Sequence, residues 1–239
     1  MRVVCISCDS RESGHWCSQC GAILPTPENE DYFSILGLPQ KINLDEETLK
    51  DRFFDLNRAF HPDRAAKLTD ERAREIAIHK SVLINNSYNT LRDRTRRIQY
   101  LIRQELGERE EKSGHIPVEL FDLVEEINEL MGEVRQAKQV KRMAGMNPAQ
   151  GDGDRLADLN AQLQRQLDGL TSHREAFEQG LRSKESEWDA LCDSTHNFET
   201  LDVLTRAKRR QIATALAVKM DDISYIDSLI RRIKDTLYE

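Results

Sequence analysis

Residues Leu56–Asp70 read LNRAFHPDRAAKLTD. Just upstream, Leu49, Phe53, Leu56 and Phe60 recur at helical spacing and share one face. Asp45 suits the N-cap of that helix, and Glu46 and Glu47 suit its positive end. Pro62 stops it, because a proline disfavours helix in the residue before it. Downstream, Thr69 is the expected N-cap of a second helix with Ala73, Ala77, Ile84, Tyr88 and Leu91 as its apolar stripe. The tight connection between these antiparallel helices thus holds His61, Pro62 and Asp63 among basic residues. Taken alone the triplet has a plain reading: a helix stop, a turn residue and a surface histidine.

Further outward, DYFSILGL (Asp31–Leu38) and RTRRIQYLIRQEL (Arg94–Leu106) predict a short helix on each side of the pair. Pro117 fits the first turn of another helix, running to about Met143. AGMNPAQGDGD (144–154) reads as a loop. A segment from about Asp154 to Leu191 keeps close to a heptad rhythm through Leu156, Leu159, Leu163, Leu167, Leu170, Phe177, Leu181, Trp188 and Leu191, weakened at Gly169 and Gly180. DSTHNFET (193–200) is the next break, and a last helix reaches Tyr238. Three long helices with short breaks imply an antiparallel three-helix bundle. The expected class is all-α: a zinc-ribbon-like module at 1–25, a helical hairpin domain at 29–106 and a C-terminal bundle at 117–239. LPTPENE (Leu24–Glu30) reads as a linker that leaves the first module autonomous.

The chain has 239 residues, a net charge of −7 and no apolar run of membrane-span length. Its basic residues are dispersed, which argues against a nucleic-acid partner. The start, MRVVCISC, carries no signal-peptide or transit pattern, so a cytoplasmic location without a membrane association is expected. Cys5-x2-Cys8 and Cys17-x2-Cys20 offer four thiolates spaced to close a tetrahedron around Zn²⁺, with iron in a rubredoxin-like site as the alternative. A segment this short and this poor in apolar residues needs such a staple. A reactive dithiol of the thioredoxin kind would need a strand–helix unit, which the pattern lacks. Cys192 stands alone as a half-buried filler.

The hairpin, its His-Pro-Asp connection and the flanking DYFSILGL resemble the J-domain over roughly Asp31 to Leu106. Within that class, INNSYNTLRD, RRIQYLI and the long helical tail resemble the HscB-type iron–sulfur co-chaperones, some of which carry a four-cysteine module before the J-domain. The tail is longer than is usual in that family, and the scaffold signature reads ELFDLVEEINEL. The resemblance implies docking of His61, Pro62, Asp63, Arg52, Arg58 and Arg64 on a DnaK- or HscA-type ATPase chaperone, whose ATPase is stimulated. It also implies binding of an IscU-like cluster scaffold through Leu120, Phe121, Val124, Glu125, Asn128 and Tyr225.

No catalytic grouping is legible, so the function is expected to be exerted through binding, and the protein is not expected to be an enzyme. Lys50 and Lys67 extend the basic surroundings of His61, while Asp51 and Asp55 dilute them. On the helix after Pro117, Leu120, Leu123, Ile127, Leu130 and Val134 share the face expected to pack, with Phe121 beside Glu125 and Asn128 and Val124 at the border. The alternative function is a general J-protein whose zinc module and bundle hold unfolded clients. A zinc-ribbon nucleic-acid binder is disfavoured by the acidic balance of residues 1–30.

Overall fold

The computed structural model describes residues 2–27, 30–108, 116–143, 150–193 and 202–238. They form two compact units: Met1–Glu108 with Glu185–Thr214, and Arg109–Lys184 with Ala215–Glu239.

The first unit begins with strand β1 (Val3–Val4), paired antiparallel with β2 (Arg11–Glu12). Five helices follow: α1 (Tyr32–Leu36), α2 (Glu46–Ala59), α3 (Pro62–Ala65), α4 (Glu71–Leu91) and α5 (Arg94–Leu106). Each of these starts has a local cause. Asp31 accepts from the Phe33 and Ser34 amides, Asp45 from Thr48, Asp70 from Arg72 and Asp93 from Arg96. The expected cap at Thr69 is therefore displaced by one residue, because the Asp70 carboxylate takes the bond. Gly37 ends α1 in the left-handed region (φ 65°) that glycine enters without a Cβ clash. Leu49 and Phe60 are buried and Phe53 and Leu56 half-buried, so the α2 stripe packs as the spacing predicts. The Phe53 ring stacks on Tyr88 of α4 at 4.0 Å.

The expected boundary at 117–239 needs correction, because Glu185–Thr214 belong to this first unit. They comprise the end of α7 (Gln150–Asp193) and the start of α8 (Val203–Tyr238). Their side chains hold the loop between α1 and α2. The Trp188 indole is fully buried and donates to the Gln40 carbonyl at 2.8 Å. Asp189 accepts from the Ile42 and Asn43 amides at 2.6 and 3.0 Å. Arg209 lies 4.7 Å from the Trp188 ring and bonds both Glu105 and the Gln40 side chain. Buried Glu185 receives the Arg94 guanidinium through two nitrogens. Cys192 is buried, donates to the Gln40 carbonyl, and has its thiol pushed up to about 12 by that burial. It is a structural thiol.

The second unit starts with a 3-10 turn (Val118–Leu120) after Pro117, and α6 (Phe121–Met143) continues from it. Glu126 meets Gln166 and Glu133 meets Arg155, so α6 and α7 run antiparallel. Asn128 meets Arg232 and Lys138 meets the carbonyl of Thr236, so α6 and α8 run parallel. The result is the three-helix bundle. Its core contains Ile127, Leu130 and Val134 of α6, Leu159, Leu163 and Leu170 of α7, and Ile226, Leu229 and Ile233 of α8. Helix α7 runs through Gly169 and Gly180 and begins at Gln150, inside the stretch expected to be a loop. The rest of that loop (144–149) and the 194–200 break lie outside the described residues. Among the described residues no helix is long and apolar enough to cross a membrane.

Candidate docking sites and metal centre

The metal site is built by two matching turns. The Cys5 amide donates to the Ser10 carbonyl, and the Cys17 amide to that of Ala22, both at 2.8 Å. The Asp9 amide returns to Cys5 O and the Gly21 amide to Cys17 O, both at 3.0 Å. Asp9 (φ 58°) and Gly21 (φ 73°) both take the left-handed conformation that closes such a turn. The four sulfurs come to lie within 4.8 Å of one another, with Cys5–Cys20 and Cys8–Cys17 at 3.5 Å. A tetrahedron with metal–sulfur bonds of 2.3 Å has edges of roughly 3.8 Å. Both pairs are far longer than a disulfide bond. The donor set therefore fits a tetrathiolate ion, which would be held by Cys5, Cys8, Cys17 and Cys20. The Ser10 hydroxyl, 3.2 Å from both Cys8 and Cys17, pulls both thiols toward the thiolate, Cys17 to about 6.

The module is not a tethered bead, contrary to the reading of Leu24–Glu30 as a linker. Trp16 stacks on Phe60 at 5.0 Å. The His15 Nε2 lies 3.0 Å from the Ile35 carbonyl, which can only accept, so that nitrogen donates. Nδ1 is then left to accept from Lys80 Nζ at 3.4 Å. Burial first, and the Lys80 charge second, push His15 down to about 4 and keep the ring neutral.

One residue past Phe60, His61 caps α3. Its Nδ1 accepts from the Asp63 amide at 3.2 Å, and its carbonyl accepts from the Arg64 and Ala65 amides. With Nδ1 accepting, the neutral ring carries its proton on Nε2. Pro62 at the first helical position stiffens the turn. The side chains of His61 and Asp63 are 49% and 85% exposed. Arg64 donates to the Arg58 carbonyl at 3.1 Å, which ties the end of α2 to α3. A shallow groove of about 380 Å³ is lined by Phe54, Asn57, Arg58, His61, Asp63 and Arg64. Arg52, Lys50 and Lys67 are exposed but do not line it. Phe54, with Lys50 6.0 Å from its ring, is half exposed and was missed in the sequence. Its only signal was an aromatic one step off the buried stripe.

The residues expected to bind a scaffold divide by burial. Leu120 and Val124 are 1% and 3% exposed and belong to the bundle core, so neither can anchor a partner in this conformation. Both fall at helical spacing with buried Ile127, Met131 and Val134, so the packed face is wider than the stripe expected from the sequence. Phe121 is 58% exposed, and Glu125 and Asn128 are exposed on the same side. Asn128 accepts from Arg232, and Phe121 and Tyr225 lie seven residues before these partners on two parallel helices. They therefore stand at one level of the bundle. Tyr225 is half-buried, and that burial raises its phenol.

Residues 31–100 match the DnaJ domain family, so this stretch is a J-domain. Over the whole chain the fold is similar to the crystal structure of human co-chaperone protein HscB, with a TM-score of 0.54, 19% identity, and coverage of 95% of this chain and 96% of that one. The chaperone HscB from Vibrio cholerae aligns with a TM-score of 0.49 and 23% identity over 87% of this chain and 99% of its own.

Proposed function

We propose that this protein is a co-chaperone of iron–sulfur cluster assembly, binding a cluster scaffold, delivering it to a DnaK- or HscA-type chaperone and stimulating that chaperone's ATPase. The observation that carries the reading is the exposed His61-Pro62-Asp63 turn, stiffened by its own hydrogen bonds and rimmed by Arg58 and Arg64, in a chain with the HscB fold. His61 Nε2 and the Asp63 carboxylate offer a donor and an acceptor to a partner, and the arginines favour fast, salt-sensitive, short-lived docking. The protein contributes contacts, and the chemistry belongs to the chaperone.

The scaffold surface of this reading is Phe121, Glu125, Asn128 and Tyr225, a large exposed aromatic with polar neighbours. Zn²⁺ in the tetracysteine site is the proposed resident ion, in a structural role. Binding measured side by side to a purified iron–sulfur scaffold and to a denatured model protein tests the cargo. The protein should bind the scaffold only. Binding of the denatured protein alone would favour the general J-protein.

A further inference from the structure

The metal module and the His-Pro-Asp turn meet through neighbouring residues. Trp16 precedes the ligand Cys17, Phe60 precedes His61, and the two rings are stacked at 5.0 Å with an interplanar angle of 19°. His15 adds a ring 5.5 Å from Phe60 and a bond to the Ile35 carbonyl. Lys80 supplies an independent observation. It is 2% exposed on α4, although long ammonium side chains avoid full burial. Its Nζ lies 3.4 Å from His15 Nδ1 and 5.8 Å from the centre of the Phe60 ring. Burial lowers its pKa, opposed by the charge of Glu30. From the module, the His15 ring lies against its ammonium.

We infer that Trp16 is a positioning residue for the His-Pro-Asp turn, and that the tetracysteine metal site governs the turn's order through it. Closing the Cys17–Cys20 turn fixes the backbone that presents Trp16, and Trp16 holds Phe60 at the end of α2. The start of α3, with the Arg64 and Ala65 amides bonded to His61, follows from that anchor. Loss of the metal opens the Cys17–Cys20 turn, withdraws Trp16 and loosens the turn that docks. Metal occupancy then sets how well the protein stimulates its chaperone, a consequence that rests on the co-chaperone reading. The order of the turn itself does not.

The test uses the full chain in four forms: metal-loaded and chelated wild type, and metal-loaded and chelated Trp16→Ala. Amide hydrogen exchange at Arg64, Ala65 and Ala66 is read beside that at Ile98, Leu101 and Ile102 of α5 as the folding control. Chelation of the wild type, and Trp16→Ala alone, should each speed exchange at the first three by about fivefold, the scale of one aromatic contact, and leave α5 unchanged. Chelation of Trp16→Ala should then add less than about twofold, because the coupling residue is gone. Trp16→Phe should restore the metal dependence. ATPase stimulation of a DnaK-type chaperone should fall in parallel. Unchanged exchange at Arg64–Ala66 on chelation overturns the inference. An effect of chelation as large in Trp16→Ala as in wild type overturns the role of Trp16. Absence of stimulation by the metal-loaded wild type refutes the co-chaperone reading instead, and the exchange data still decide the positioning claim.

Discussion

Arg209→Met removes a guanidinium that joins Glu105, Gln40 and Trp188. In the native chain its Nε donates to Glu105 at 2.8 Å, one terminal nitrogen lies 2.6 Å from the same carboxylate and 2.8 Å from the Gln40 side-chain oxygen, and the charge lies over buried Trp188. The Arg209 side chain is 5% exposed, against 17% for its partner Glu105. Breaking a buried pair costs about 3–5 kcal/mol, chiefly because one charge is left desolvated and alone. Glu105 retains some solvent, so the lower end applies. Loss of the ring contact is offset in part by the apolar thioether, giving about 3 kcal/mol. For a chain of this size that lowers Tm by roughly 6–12 °C. Circular dichroism at 222 nm should record the drop, and the Ile42 and Asn43 amides held by Asp189 should exchange faster. Arg209→Met with Glu105→Met should recover most of the loss, since no unpaired charge remains. A single mutant that melts within 2 °C of wild type, or a double mutant as unstable as the single, would refute the view that this ion pair fixes the start of α8 against α5.

Phe121→Ala with Tyr225→Ala should weaken scaffold binding at least tenfold, about 1.4 kcal/mol, at unchanged helicity. Full affinity in a folded double mutant would remove that surface from the account. Freshly purified reduced protein should contain about one zinc ion per chain by elemental analysis, and Cys17→Ser should lose it. A metal-free wild type would count against the tetrathiolate. Lys80→Met should hold or raise Tm at neutral pH, because an apolar side chain carries no desolvation cost there. The folded pKa of Lys80 lies below its ordinary 10.5, so between the two the unfolded chain binds the extra proton. This residue's penalty is thus full at neutral pH and fades as pH rises through that window. The advantage of Lys80→Met should shrink accordingly, and a pH-independent difference in urea denaturation would contradict the sign.

Local chemistry was legible and long-range partnership was not. The bounds of α5, the Asp45 cap, the α2 stripe and the two Cys-x2-Cys turns all depend on residues close to each other in sequence. Trp188 reads as one more heptad position in α7, since the period that buries it is the same whether its neighbour is a bundle helix or the loop at Gln40, 148 residues away. The docking of Trp16 and His15 was hidden for the same reason: neither lies in a periodic segment, and their contacts Ile35, Phe60 and Lys80 are distant in sequence. Lys80 carried a misleading signal, because a lysine on a helix predicts solvent. Leu120 and Val124 were drawn to the scaffold surface by resemblance, although Leu120 also stood on the face read as core. Burial puts both in the core.

On the co-chaperone reading, the protein acts on its chaperone through the turn at His61. Single-turnover ATP hydrolysis by a DnaK-type chaperone, with wild type and with His61→Gln at matched metal content, tests it most directly. The substitution replaces the half-exposed cap of a four-residue helix, so stability should fall by no more than about 1 kcal/mol. The wild type should accelerate hydrolysis markedly, and His61→Gln should leave it at the basal rate. Equal acceleration by both proteins would contradict it.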